Sequence, residues 1–382
     1  MKKICFVQLK VIGYFDVNLG VTPGGAERQI FHLMNFCAQN SELEVHALVG
    51  DFGQEPIVVV GHIKLWRSCK LMGNPLVRVW KLFRTLQQIH ADLYVFRSPD
   101  IGVALGALLV KLLRNRVVYM VANEDEAVPT KLQKICGTVG SRAMAWLYKS
   151  ADVLITQTQQ QAELFKVHRK INVSGILPNI FSKTQSVNPQ SASQVSGVSD
   201  FSKILPELGY ILWVGRCDPI KRAELYLDLA EQNPNNKFVM VCPKTSFLAY
   251  WDEIFARAQN IKNLTFIEKV SPDEIYTWYQ RAKLLVMTSV SEGFSNVMME
   301  ALYEKCPLLT LNVNPDNIIH RFKLGNTFCD AEMALFFQAF RNLLADEVGL
   351  QQMGEAGRRY IEEFHGVETN GRRFLKLVNE AF

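Results

Sequence analysis

Short continuous apolar runs alternate with longer stretches of helical period along almost the whole chain. A run apolar at every position suits a strand buried on both faces of a parallel sheet, and the amphipathic stretch between two such runs suits a crossover helix. In the first half the pattern predicts strands at Lys3 to Leu9, Glu44 to Val49, Ile57 to Val60, Leu93 to Phe96, Arg116 to Val121 and Val153 to Thr156. Helices are predicted at Ala26 to Gln39, Pro75 to Ile89, Asp100 to Leu113, Val139 to Lys149 and Gln159 to Val167. This is the pattern of one Rossmann-like domain, assigned to residues 1–181. The polar stretch Ser182 to Ser202 lacks helical period and reads as a linker or a mobile excursion, so residues 182–208 are set apart. The alternation restarts at Tyr210 to Arg216, with a helix over Arg222 to Gln232 and strands at Lys237 to Val241, Leu264 to Ile267, Leu284 to Thr288 and Leu308 to Leu311. Helices Ala331 to Leu344 and Val348 to Phe364 close a second α/β domain over residues 209–370. A last helix, Arg372 to Ala381 within residues 371–382, is placed to cross back onto the first domain.

A chain of 382 residues fits two such domains, and 48% apolar with 21% charged residues is the composition of a globular protein in water. The apolar start Ile4 to Val7 is cut short by Gln8 and Lys10, which argues for a strand over a signal peptide; Ile101 to Val110 is too short to span a bilayer. Eight cysteines and seven histidines are scattered with no pair at metal-ligand spacing, so the expectation is a cytoplasmic protein with reduced thiols, no metal and no other cofactor. Charge is uneven: residues 1–182 hold 21 Lys and Arg against 13 Asp and Glu, and residues 183–382 hold 21 against 24. An anionic partner is therefore expected for the first half.

Chemistry concentrates in Ser289-Val-Ser-Glu-Gly-Phe-Ser-Asn-Val-Met-Met-Glu-Ala-Leu302. The buried strand before it and a helix from Asn296 place Glu292 on a connecting loop and Glu300 one turn inside the helix. Ligands of open α/β sheets bind beyond the carboxyl ends of the strands, where a helix N-terminus attracts an anion. Two carboxylates there add acceptors for hydroxyls, which together describe a phosphorylated polyol such as a nucleotide sugar. The competing reading is a solvated helix face. Val214-Gly-Arg-Cys-Asp-Pro-Ile-Lys-Arg222 ends another strand: Gly215 permits a sharp turn, and Arg216 and Lys221 suit phosphate oxygens, unless they only solvate the loop. Gly24 and Gly25 in Thr22-Pro-Gly-Gly-Ala-Glu-Arg28 open the first helix and either bring backbone N–H groups to a phosphate or mark a turn.

The run Glu292-Gly293-Phe294 with Glu300 eight positions on resembles the glutamate pair of the retaining glycosyltransferases of family 4; Val214-Gly-Arg216 with Lys221, and Gly24-Gly-Ala-Glu27, resemble further motifs of that family. The resemblance covers both domains and is strongest from Gly209 to Thr310. It implies a GT-B architecture, with two doubly wound Rossmann-like domains facing a cleft. It also implies sugar transfer from a nucleotide diphosphate donor with retention at the anomeric carbon. Glu292 would bind donor-sugar hydroxyls, Glu300 the ribose, and Arg216 and Lys221 the diphosphate in place of a metal. Ser295 and Asn296, where Ser295 replaces a frequent glycine, would offer backbone N–H groups to the sugar or distal phosphate. Leu177-Pro-Asn-Ile180 resembles the family's Ile-Pro-Asn-Gly with a structural role.

Where the family commonly has a histidine, this chain reads Ala122-Asn-Glu-Asp-Glu126. Asn123, Glu124 and Asp125 are either an acceptor-handling set or a solvated turn, and Arg97 in Arg97-Ser-Pro-Asp100 is a second candidate for acceptor contact. Asn312 to Asn317 reads as a turn of obscure role. Lys64 to Arg84 interleaves six cations with Trp66 and Trp80, which suits an anionic membrane surface or a lipid-linked acceptor, or else a solvated helix face. Nucleic acid is disfavoured because no recognition motif accompanies the charge. The expected function is a glycosyltransferase acting on a glycan or lipid-linked glycan in cell-surface polysaccharide biosynthesis, cytoplasmic and peripheral at the inner membrane face. The rival is a nucleotide-sugar-binding partner that has lost its chemistry. A nicotinamide enzyme would need a Gly-x-Gly-x-x-Gly fingerprint, which the first strand does not precede.

Overall fold

The computed structural model describes residues 1–183 and 208–382, so the predicted linker lies almost wholly outside the described residues. The chain divides into two compact units, one holding residues 1–183 with 365–382 and the other residues 208–364.

In the first unit the chain runs β1 (Lys2–Val7), α1 (Gly25–Cys37), β2 (Leu43–Val49), β3 (Ile57–Val60), β4 (Ile63–Arg67), α2 (Pro75–Ile89) and β5 (Leu93–Arg97). It continues through α3 (Ile101–Leu112), β6 (Arg116–Met120), α4 (Pro129–Ser150), β7 (Val153–Thr156), α5 (Gln159–Arg169) and β8 (Gly175–Ile176). The strands lie in the order β3-β4-β2-β1-β5-β6-β7-β8, all parallel except for the β3–β4 hairpin at one edge. The second unit runs β9 (Tyr210–Val214), α6 (Ala223–Gln232), β10 (Phe238–Val241), α7 (Leu248–Ala258), β11 (Leu264–Ile267), α8 (Ile275–Arg281) and β12 (Ala282–Met287). After it come α9 (Asn296–Tyr303), β13 (Leu308–Leu311), α10 (Ile318–Arg321), β14 (Gly325–Phe328), α11 (Met333–Ala345) and α12 (Glu347–Phe364). Its sheet is fully parallel, in the order β11-β10-β9-β12-β13-β14. The last helix, α13 (Val367–Asn379), lies on the first unit, where Phe374 and Val378 join the core formed by β1, β2 and α1.

Both faces of the first sheet are covered, which explains why its strands are apolar at successive positions. One face packs against α1 and α13. The other holds Leu82 and Leu86 of α2, Ala104 and Val110 of α3, Leu132 and Leu147 of α4 and Phe165 of α5. His365, buried just before α13, meets the Asn179 carbonyl through Nδ1 at 2.6 Å, and burial lowers its pKa to about 4. It keeps a neutral ring as a structural tie between the end of the chain and the Leu177–Ile180 segment.

Four features differ from the predicted pattern. Lys64 to Arg67 belong to β4 rather than to a helix face, because Gly61 (φ +56°) turns β3 back on itself. Helix α4 begins at Pro129, well before Val139; Gly137 (φ +70°) interrupts its period and hid the first turns. Strand β14 was not foreseen in Gly325-Asn-Thr-Phe328, where Gly325 (φ +151°) leaves no room for a side chain against the Leu308 carbonyl. The last helix also starts earlier than Arg372, at Val367.

Candidate active site

In the second sheet the strand order reverses between β9 and β12, and in the first between β1 and β5. Such switch points splay the connecting loops apart and create the ligand crevice of an open α/β sheet. The loops that leave β9 and β12 are Gly215–Arg222 and Thr288–Ser295, the stretches that hold Arg216, Lys221 and Glu292.

Gly215 lies so close to the Trp213 ring that an added Cβ would come to 2.9 Å, so the chain can turn tightly there only without a side chain. Asp218 then accepts from the Ile220 amide at 3.2 Å and starts a short 3-10 turn over Pro219–Lys221, which Arg222 ends in the left-handed region (φ +49°). The turn is stitched to the second loop. The Val290 amide donates to the Ile220 carbonyl at 2.8 Å, and the Thr288 hydroxyl donates to the Lys221 carbonyl at 2.7 Å. Trp213 Nε1 in turn donates to Thr288 Oγ1 at 3.1 Å.

Arg222 fastens the same junction. Its Nε donates to the Thr288 carbonyl at 2.7 Å, and a terminal nitrogen donates to Asp330 at 2.6 Å. Hydrogen bonds from Arg222 and then from Asn312 hold the Asp330 carboxyl below the usual aspartate range. Asn312, in the stretch of obscure role, is thereby a brace for this loop.

This scaffold delivers the Lys221 ammonium to the Glu292 carboxylate, to which Ser289 Oγ also donates at 2.8 Å. The Lys221 and Glu292 side chains are 19% and 15% exposed, so the pair is sheltered yet reachable. Both line a small recess walled by Trp213, Thr288, Ser289 and Ser295. Arg216 stands exposed on the same loop, outside that wall. Phe294 is buried with its ring 6.5 Å from that of Tyr360, which anchors the loop after Gly293. Ser295 and Asn296 begin α9, and Glu300 lies on its buried side, accepting from the Tyr279 hydroxyl of α8 at 2.9 Å. A cation hydrogen-bonded to a carboxylate at the switch point can neutralise a phosphate while the carboxylate's remaining lone pairs accept hydroxyls.

At the carboxyl edge of the first sheet the candidates have different fates. Gly24 is the N-cap of α1, its amide donating to Glu27 at 2.9 Å, and Gly25 opens the helix; both are exposed. Arg97 ends β5 and is buried rather than open to an acceptor, donating to Asn179 Oδ1 at 2.9 Å. Asn179 therefore receives a guanidinium as well as serving its own segment, and burial, the first cause, depresses the Arg97 pKa to about 10. Asn123 caps the short turn Glu124–Glu126, and Asp125 pairs with Lys131 at 2.8 Å.

The residue overlooked in that cluster is Glu126. It is fully buried, accepts from the hydroxyls of Tyr119 (2.6 Å) and Tyr148 (3.1 Å) and from the amides of Ala122 and Asn123, and organises the loop where a histidine was expected. The available signal was a weak one: an acidic residue six positions beyond a strand can fold back onto the strand's end. Burial raises its pKa, against the opposing hydrogen bonds. The stability this gives is complete below the ordinary glutamate range and is lost as pH rises through the raised folded-state value. Glu126→Gln keeps the acceptor and removes the titration. The variant is therefore expected to gain stability relative to the parent as pH rises, measured by urea midpoints across a pH series; parallel curves would contradict the buried charge. Glu126→Ala, which strips two tyrosines and two amides of their acceptor, is expected to cost about 3 kcal/mol.

Comparison with known proteins shows what the chain is similar to. Residues 200–360 match the family model described as "Glycosyl transferases group 1". Over its whole length the chain superposes on sucrose-phosphate synthase of Thermosynechococcus elongatus, with a TM-score of 0.79 at 16% identity, covering 100% of this chain and 99% of that one. It also superposes on Anabaena HepE, solved in complex with UDP-glucose, with a TM-score of 0.72 at 16% identity and full coverage of both chains. The fold is GT-B, built from two Rossmann-like units. In sequence, the O-antigen chain mannosyltransferase RfbU of Salmonella typhimurium is 23% identical over 147 residues, 37% of this chain and 42% of that protein. The chain spans about half the length of the curated relatives it matches, from 46% to 59% of the first three.

Proposed function

We propose that the chain transfers a sugar from a nucleoside diphosphate donor to a hydroxyl of a lipid-linked glycan at a membrane surface, with retention at the anomeric carbon, in the assembly of a cell-surface polysaccharide. The observation that carries this reading is the Lys221–Glu292 pair at the β9/β12 switch point, inside the segment that matches the glycosyltransferase model. In the reaction the bond from the anomeric carbon to the diphosphate oxygen breaks, a bond to the acceptor oxygen forms, and the acceptor's proton leaves with the diphosphate. Lys221 and Arg216 offset the charge that grows on the departing group, and the N-terminus of α9 adds its dipole. Glu292 orients the donor's hydroxyls and Glu300 the ribose, with no metal required. The UDP-glucose complex of HepE and the mannosyl transfer named for RfbU support a donor of this class.

Screening nucleoside diphosphate sugars for thermal protection identifies the donor, because ligand at about 100 times Kd adds about 2.7 kcal/mol of stability. Product anomers are then read by NMR. No protection by any donor, together with no diphosphate release, overturns the reading. A second reading, a donor-binding partner without chemistry, is favoured by the absence of a histidine from Ala122–Glu126 and by the burial of Glu126. Donor binding with neither transfer nor hydrolysis would select it.

A further inference from the structure

Helices α2, α3 and α4 lie side by side on one face of the first sheet, each packed on the next. Their sequences together carry eight Lys or Arg and no Asp or Glu. Helices whose outer face only meets water ordinarily mix both signs, as α1 and α13 on the opposite face do. Some of these cations have acidic partners from neighbouring elements: Lys81 pairs with Asp51, Lys111 with Asp152 and Lys131 with Asp125. Lys134, Arg142 and Lys149 of α4 are exposed and make no ion pair among the described residues.

The same outer faces carry large apolar side chains. On α2, Leu76, Val77 and Trp80 are exposed at helical spacing, with Arg84 lying over the Trp80 ring at 5.3 Å. On α3 the exposed positions are Ile101, Leu108 and Leu112, again one stripe. On α4 beyond the Gly137 break they are Val139 and Trp146, with Arg142 and Lys149 on the same stripe. A monomer seldom exposes apolar groups on three adjacent helices without an occupant for them. Water-facing apolar side chains set among unopposed cations match the interface of an anionic bilayer, where rings and aliphatic groups enter the headgroup boundary and cations meet lipid phosphates. Among the described residues no helix is long and apolar enough to cross a membrane, so the contact is with the surface.

We propose that the outer face of α2, α3 and α4 docks the chain onto an anionic lipid surface. This deepens the function proposed above by naming where a membrane-borne acceptor is met, and it enlarges the surface foreseen in Lys64 to Arg84. There, Lys64 and Trp66 instead sit on β4, bonded to Glu44 and His46.

The test is flotation with vesicles of phosphatidylcholine alone and of phosphatidylcholine mixed with phosphatidylglycerol. The parent chain is expected to float with the anionic vesicles only, and less so as salt rises. The triple variant Trp80→Ser, Val139→Ser, Trp146→Ser and the triple variant Lys134→Glu, Arg142→Glu, Lys149→Glu should each weaken binding on the order of a hundredfold. Circular dichroism and unchanged thermal protection by a nucleotide sugar show that each variant is folded with an intact donor site. Failure of vesicle binding alongside normal donor protection overturns the docking surface and spares the transferase reading; loss of donor protection in the parent does the reverse. Binding that both triple variants retain overturns the proposal, as does a dimer in light scattering that the apolar variant dissolves, because the face would then belong to a second copy.

Discussion

Lys221→Ala is expected to lower kcat for sugar transfer by about a thousandfold, the scale found when one preorganised donor to a developing anion is removed. The side chain is delivered by a specific sequence of devices: a tight turn at Gly215, the Asp218 cap, the 3-10 turn and the left-handed Arg222. None of these involves the ammonium, so the truncated chain keeps its loop. Glu292 also keeps the Ser289 hydroxyl as a donor. The stability cost is therefore expected to stay within about 1 kcal/mol, the usual range for a partly exposed ion pair. Under the proposed reaction the effect falls mainly on kcat, because charge on the diphosphate would grow as the bond to the sugar breaks. Measuring kcat and KM separately, with melting temperature as a control, checks this. Unchanged turnover in a folded Lys221→Ala chain would remove the cation from the reaction and leave the pair a structural tie.

Much of this site was legible because its parts follow strands. Apolar runs mark the strands, parallel strands send their loops to one edge, and the charged motifs after Val214 and Met287 therefore had to share that edge. What periodicity could not show is which strands are neighbours. The β9–β12 adjacency that makes the two loops touch is a property of strand order, which no local pattern encodes.

The bracing groups were also hidden for a physical reason. Thr288, Arg222 and Tyr279 act through hydrogen bonds to partners distant in sequence, and nothing in their own flanks distinguishes them from ordinary polar residues. Arg97 shows the opposite case. A cation at a strand end looks like a ligand contact, yet the cost of its burial is offset here by Asn179 and the nearby Glu126. Strands β4 and β14 were missed because a lysine interrupts the first and a glycine opens the second, so neither offers an unbroken apolar run.

Glu300→Ala is expected to weaken binding of a nucleoside diphosphate by about a hundredfold, since two hydrogen bonds from ribose hydroxyls to a carboxylate are worth about 1.5 kcal/mol each at the low end. The carboxylate is buried on α9 and receives the Tyr279 hydroxyl, an arrangement that fixes its rotamer before a ligand arrives. Preorganisation of this kind predicts a graded series. Tyr279→Phe leaves the acceptor in place but removes the group that orients it, so affinity should fall by less than tenfold, as for one neutral hydrogen bond of about 1 kcal/mol. A purely structural Glu300 gives a different pattern: Glu300→Ala and Tyr279→Phe would both lower the melting temperature and neither would change the dissociation constant. Calorimetric titration of nucleoside diphosphates and of the corresponding monophosphates into both variants separates the two. Because Glu300 is assigned to the ribose, its loss should weaken mono- and diphosphate by the same factor. Lys221→Ala should instead penalise the diphosphate more, so that the ratio between the two ligands reports which end of the nucleotide each residue holds.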